Sequence, residues 1–344
     1  MSGKASKIGR GARRPRAPLL IPGRDTAARL PKEGLSAALR TAQPGAQGCP
    51  GAAARSITAA FLARPARGLK PLQALEAFWH QVTVSGWLLP PSLRRYAAIF
   101  GNPHFFVPRH DFFALTSWTN IYDTAPLHQT LERLVDLDAL ANPSIAPGLL
   151  VTATDVEAGQ IEYFYSGTKG LSLDHIVASG SLPPSFAMTM IDGKSYWDGG
   201  LFDNTPLGAV LERLDDGPGV DRTIYVVNLF PNKAPIPRTM AEVAERTLNL
   251  QFANKTAEDL KLMDRFNEVA KLMEVLDGLP EDHPVRNDPA FKAVKKRHYV
   301  RVPRIIAITR PEQVGGFDGG DFSPEAIKKH ADEGYAQTEQ ALKA

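Results

Sequence analysis

Cysteine is nearly missing from this sequence: Cys49 is the single one among 344 residues. A lone thiol excludes a disulfide framework and a thiolate metal cluster, and it gives no sign of an oxidising compartment. The eight histidines are scattered, and none falls in the His-Glu-x-x-His spacing that turns two imidazoles toward one metal from a helix face. No metal and no cofactor are therefore expected. Long apolar runs are absent too. None approaches the ~20 residues that cross a bilayer, so the chain is expected to be soluble and cytoplasmic, with peripheral membrane contact at most. Gly315-Gly316-Phe317-Asp318-Gly319-Gly320-Asp321 lacks the Gly-Lys-Ser/Thr ending of a phosphate cradle and the spacing of a calcium loop, so it reads as a flexible connector.

Residues 1–55 have no Phe, Tyr or Trp. They hold eleven Lys and Arg against two acids, a net charge of +9, whereas the other 289 residues hold 29 bases and 35 acids, a net of −6. The overall +3 joins two dissimilar pieces. Rich in Ala, Arg, Gly and Pro and without sustained apolar periodicity, the first piece cannot bury enough surface to fold alone and is expected to be largely disordered. It contains no continuous apolar core of a secretory signal. No aromatic side chains interleave with its bases to stack on nucleobases, so no nucleic-acid partner is expected.

Residues 56–344 carry the pattern of one folded domain. Periodicity predicts helices over 56–64 and 71–83, the second with Leu72, Leu75, Phe78, Trp79 and Val82 on one face. Further helices are predicted over 126–138, with Leu127, Leu131, Leu134 and Val135 inward, and over 171–178 and 324–342. Residues 240–276 carry Leu248, Phe252, Leu260, Met263, Phe266, Val269, Leu272, Met273 and Leu276 at spacings of three and four, as one amphipathic helix or a pair. Strands are predicted at 148–155, at 160–165 across the Glu157-Ala158-Gly159 turn, at the near-continuous apolar run 223–230 and at 304–309. Asp155, at a strand end beside a turn, reads as a hydrogen-bond acceptor. His175, alone on its helix, reads as structural.

The most informative stretch is Tyr196-Trp197-Asp198-Gly199-Gly200-Leu201-Phe202-Asp203-Asn204-Thr205-Pro206. Two glycines permit a sharp reversal and a close backbone approach, which leaves Asp198 at the mouth of a bend. Just upstream, Asp192-Gly193 is the two-residue signature of a tight hairpin, so Asp198 should end a strand. Downstream, Asn204 or Thr205 is placed to cap a helix with Pro206 in its first turn and Leu207, Val210, Leu211 and Leu214 inward.

About fifteen residues before Asp198 lies Ala178-Ser179-Gly180-Ser181-Leu182-Pro183-Pro184-Ser185-Phe186. The order of this segment, the hairpin, Asp-Gly-Gly and Asn-Thr-Pro resembles the patatin-like phospholipases. That resemblance implies an α/β fold with a central, mostly parallel sheet and helices on both faces. It also implies hydrolysis of lipid acyl esters by a Ser/Asp dyad, with Asp198 as the base, supported by Gly199 and Gly200, and with Ser179, Ser181 and Pro183 beside the site. The implied partner is a lipid or another acyl ester.

Such chemistry needs a serine whose proton a positioned base removes, and backbone donors for the oxyanion. The family presents that serine in a Gly-x-Ser-x-Gly elbow, and no serine of this chain lies in one. The nearest match, Gly34-Leu35-Ser36-Ala37-Ala38, follows a polar run broken by Pro31, so Ser36 has no strand leading to it. Ser56-Ile57-Thr58-Ala59-Ala60-Phe61-Leu62-Ala63 resembles the helix that follows the family's nucleophile, which puts the serine's place at Ala53 in Gly51-Ala52-Ala53-Ala54-Arg55. No glycine-rich oxyanion loop precedes it. The resemblance therefore implies that the family's first strand, loop and elbow are replaced, as a shift of reading frame near residue 55 would do. Without that serine, the alternative is an inactive patatin-like protein or a lipid-binding remnant.

Overall fold

Every residue of the strand Gly148–Asp155 is buried, and the run of aliphatic residues at its start explains why a strand here is covered on both faces. Leu149 and Val151 enter one apolar cluster, whereas Leu150, pointing the other way, enters a second. The computed structural model describes residues 19–21, 26–28, 51–84, 90, 97–203, 206–214, 222–230, 233–297, 299–310 and 321–343.

In chain order the strands are β1 (Leu19–Ile21), β2 (Thr26–Ala28), β3 (Val107–Pro108), β4 (Tyr122–Asp123), β5 (Gly148–Asp155), β6 (Gln160–Tyr165), β7 (Thr189–Ile191), β8 (Lys194–Asp198), β9 (Thr223–Asn228) and β10 (Arg304–Thr309). The main sheet has the order β10-β9-β2-β1-β5-β8-β7, with β6 also paired to β5, and β3 and β4 form a separate ribbon. The fold is therefore α/β. Its sheet is mixed, however, and not mostly parallel among the described residues. Only β1 with β5 and β9 with β10 run parallel; the remaining pairs are antiparallel. Connectivity gives the reason, since β5–β6 and β7–β8 are joined by turns too short for a crossover, and a hairpin pairs only antiparallel. The β7–β8 turn is the expected one. Asp192 and Gly193 both have positive φ, 49° and 84°, which matches a two-residue hairpin to the twist of its strands.

Residues 19–21 and 26–28 belong to the segment expected to lie outside the folded domain, yet they sit between β9 and β5 and join the two halves of the sheet. For these six residues the expectation of disorder fails. Sheet pairing is made by backbone groups, so it does not need the aromatic side chains this segment lacks.

The helices are α1 (Gly51–Ala63), α2 (Pro71–Val82), α3 (Ala125–Leu134), α4 (Leu137–Ala141), α5 (Ser166–Lys169), α6 (Leu173–Ala178), α7 (Leu207–Leu211), α8 (Met240–Asp277), α9 (Pro289–Lys295) and α10 (Pro324–Lys343). Ile57 and Phe61 of α1, Leu75 and Phe78 of α2, Leu131 of α3 and Ile176 of α6 pack with Leu149 and Val151 on one face of the sheet. Leu207 and Val210 of α7 and Met263 of α8 pack with Leu150, Ile224 and Val226 on the other. Helices flank both faces, as expected. Each fully buried Phe or Leu in these layers contributes about 1.5–3 kcal/mol relative to exposure.

Two helical expectations change in detail. The stretch predicted as one helix over 126–138 is broken after Leu134, because Asp136 caps α4 by accepting the Ala139 amide at 3.0 Å, while Val135 forms a bridge with Pro65. Residues 240–276 fall within one helix, α8. Met263, Ala270 and Met273 are buried, but Leu272 is 57% exposed, on the outer side of the stripe that was expected to include it.

At the end of α1 the Arg64 side chain is fully buried. Its guanidinium donates to the carbonyls of Ala63 (2.8 Å), Ala139 (2.9 Å) and Ile145 (2.6 Å), so these desolvated N–H groups each have an acceptor. Burial lowers its pKa, opposed by the charge of Asp136.

Candidate active site

Strand β8, between β5 and the edge strand β7, places Asp198 opposite Ala153 of β5. The residue is 1% exposed. Hydrogen bonds from both its main chain and its side chain hold it. Its amide donates to the carbonyl of Ser181 at 3.0 Å, its carbonyl accepts from Thr154 Oγ1 at 2.9 Å, and its carboxylate Oδ1 accepts the Gly200 amide at 2.7 Å. The carboxylate thereby caps the short turn Gly199–Leu201, a 3₁₀ helix.

The need for glycine at 199 is steric. A Cβ there would lie 2.3 Å from Thr152 Oγ1 and 2.5 Å from the Thr152 carbonyl oxygen, distances that no real side chain occupies. Thr152 and Thr154 therefore shape the bend from β5, one by contact and one by hydrogen bond. Sequence reasoning did not single them out. Their signal is two hydroxyls, two residues apart on one face of an otherwise apolar strand.

Ser181, expected beside the site, is there through its backbone, while its Oγ donates to the Val177 carbonyl at 3.0 Å and meets Thr189 Oγ1 at 2.8 Å. Beyond the bend, Tyr163 Oη donates to Asp203 Oδ2 at 3.3 Å. Burial, then the neighbouring Asp203 charge, pushes the Tyr163 pKa up to about 12.

Asp155 and His175 are structural, as expected. Asp155 Oδ1 accepts the amides of Ala158 (2.9 Å) and Glu157 (3.1 Å), and its other oxygen meets Lys194 Nζ at 3.0 Å. Those partners, the Ala158 amide first, hold its pKa below the usual carboxylate value. His175 Nδ1 accepts the Ser172 amide at 3.0 Å, which caps α6, and burial lowers the imidazole pKa.

Ala53, the place the resemblance implies for a serine, lies in the first turn of α1. Ser56, one turn further on, is buried and donates to the Ile176 carbonyl at 2.9 Å, tying α1 to α6. Ser36, the capping candidates Asn204 and Thr205, and Gly315 to Gly320 lie outside the described residues. Pro206 is the residue that precedes α7. A cavity of about 770 Å³ opens between α2 and α10, lined by Leu72, Trp79, His80 and Tyr335 among others, and none of its lining residues belongs to the Asp198 bend.

These elements, from α1 through the Asp-Gly-Gly bend to α7, coincide with the span of one family model, which matches residues 51–211. The match is to the patatin-like phospholipases. It starts at Gly51, the first residue of α1, and ends at Leu211, the last residue of α7. Among solved structures, the crystal structure of VipD from Legionella pneumophila is similar at 14% identity with a TM-score of 0.28. The alignment covers 90% of this chain and 56% of VipD, so the chain spans little more than half of that protein's length. No curated protein matches. No helix among the described residues is long and apolar enough to cross a membrane.

Proposed function

We propose that this chain carries the scaffold and the base of a patatin-like lipid acyl hydrolase, with Asp198 as the base of a Ser/Asp dyad acting on carboxylic esters of lipids. The observation that carries the reading is a carboxylate 1% exposed, locked at a strand end inside the family-matched segment. A base held in place by its neighbours needs no reorganisation when the proton arrives, and burial excludes competing water. In the reaction, a serine hydroxyl gives its proton to Asp198 as its oxygen attacks the ester carbonyl. The tetrahedral oxyanion collapses, Asp198 gives the proton it took to the leaving alcohol oxygen, and the acyl group stays on the serine. Asp198 then takes a proton from water, which attacks the acyl-enzyme, and returns it to the serine oxygen as the fatty acid leaves.

The place that the family resemblance assigns to the nucleophile holds Ala53, and Arg55 stands where the second glycine of the elbow belongs. That substitution favours a second reading, a lipid-binding protein on the same scaffold that performs no ester chemistry. A short-chain p-nitrophenyl ester assay beside a fluorophosphonate label separates the two. Turnover with labelling of one serine, both lost in Asp198→Ala, supports the hydrolase. Silence of the folded chain in both assays supports the lipid-binding reading.

A further inference from the structure

The cleft of about 770 Å³ between α2 and α10 has the size of a small-ligand site and stands apart from the Asp198 bend. The direction of its two helices orders its walls. Val84, just past the end of α2, donates its amide to the carbonyl of Phe322, just before the start of α10, at 3.0 Å. Both helices line the cleft from that junction onward, so they run antiparallel. His80 of α2 is therefore level with Lys328 of α10, and one turn further along, Glu76 is level with Asp332. One end of the cleft is basic and the other acidic, separated by about 6 Å along α10. Leu72, Trp79 and Ile327 supply apolar surface between the walls and pack on the main core.

The four ionisable side chains are exposed, and none of them makes a hydrogen bond or an ion pair among the described residues. Lys329 and Glu333, one position on in α10, do pair, at 3.8 Å. Lys328 and Asp332 share that spacing and remain unpaired. Two carboxylates level with each other repel, and a cation placed between them relieves the repulsion. Aromatic rings stand beside them: Tyr335 lies three residues beyond Asp332, and Trp79, 7% exposed, has an indole N–H with no acceptor in the protein. Carboxylates with aromatic faces suit a quaternary ammonium. At the other end, Lys328 and His80 offer N–H donors to a phosphate. A phosphocholine group joins these two charges through an ethylene link, in the order of sign that the cleft presents.

We propose that the α2–α10 cleft is a phosphocholine-binding site, with the ammonium between Glu76 and Asp332 and the phosphate at Lys328 and His80. The inference does not depend on Asp198 acting as a base. The test is calorimetric titration of the full chain with phosphocholine and with a di-O-hexyl ether phosphatidylcholine kept below its micelle concentration. The ether probe has no ester to cleave, so silence in the p-nitrophenyl assay leaves this reading standing and turnover there does not support it. The matching ether phosphatidylglycerol, which lacks the cation, is the ligand control, and Lys329→Gln, outside the cleft, is the protein control. Wild type and Lys329→Gln are expected to bind the ether phosphatidylcholine alike, with Glu76→Gln/Asp332→Asn weaker by about tenfold or more. The phosphatidylglycerol should be weaker by a similar factor in wild type. Tighter binding of the ether lipid than of phosphocholine assigns the site to a lipid headgroup, and equal binding assigns it to the free group. No binding of either phosphocholine probe, equal binding of the phosphatidylglycerol, or undiminished binding by the double variant would each overturn the proposal.

Discussion

The amide of Asp198 donates to the carbonyl of Ser181 at 3.0 Å, so the candidate base and the Ser-Gly-Ser-Leu-Pro segment share a backbone hydrogen bond. On its other side, the Asp198 carbonyl is held by Thr154 Oγ1. Replacing Thr154 by valine keeps the shape and deletes that donor inside a buried strand. The expected loss of stability is about 1–2 kcal/mol, read as a lower urea midpoint at unchanged slope, with Thr154→Ser close to wild type.

Gly199→Ala tests the close approach to β5. The new methyl meets both the side chain and the main-chain carbonyl of Thr152, so trimming Thr152 to alanine relieves only one of the two clashes. Gly199→Ala is expected to cost at least ~1–3 kcal/mol, and Thr152→Ala in the same chain should fail to restore the midpoint. Full rescue would mean that the backbone contact is looser than the geometry requires.

His175 supplies a pH dependence. Burial lowers its folded pKa, so the folded state binds the proton more weakly than the unfolded chain, whose imidazole titrates near ~6.5. The stability contribution is therefore complete above that value and is lost as pH falls from there toward the lowered folded pKa. Protonation also takes from Nδ1 the lone pair that accepts the Ser172 amide. A fall in unfolding midpoint between about pH 7.5 and about pH 5.5 is expected, smaller in His175→Gln; an identical fall in both proteins would assign the dependence to other groups.

Deleting residues 1–28 tests whether β1 and β2 join the sheet. They stand between β9 and β5, and without them the β9–β10 pair has no sheet pairing to the rest among the described residues. A lower thermal midpoint and reduced solubility are expected, and an unchanged melt would place these residues outside the cooperative fold.

What was legible in the sequence was local. Asp192-Gly193 announced its hairpin because positive φ at two successive positions restricts the residue choice, and Leu75, Phe78 and Val82 announced the buried face of α2 by spacing alone. The strand end at Asp198 followed from that hairpin just upstream, and the bend from the two glycines after it. Strand direction was not legible in the same way, because pairings such as β2 with β9 join residues far apart in the chain, with nothing local to mark them. Nor was the contact of Gly199 with Thr152, which depends on how β8 lies against β5. The break between α3 and α4 turned on one Asp136 cap inside a sequence whose apolar spacing continues through it.

The central claim is that Asp198 is the base of an acyl-transfer site whose nucleophile position is residue 53. Its most direct test is fluorophosphonate labelling of the folded variant Ala53→Ser/Arg55→Gly, alone and combined with Asp198→Ala. The account predicts that the hydroxyl introduced at position 53 becomes labelled in the first protein and not in the second. Labelling that is indifferent to Asp198, or a folded variant whose new hydroxyl never reacts, would contradict it.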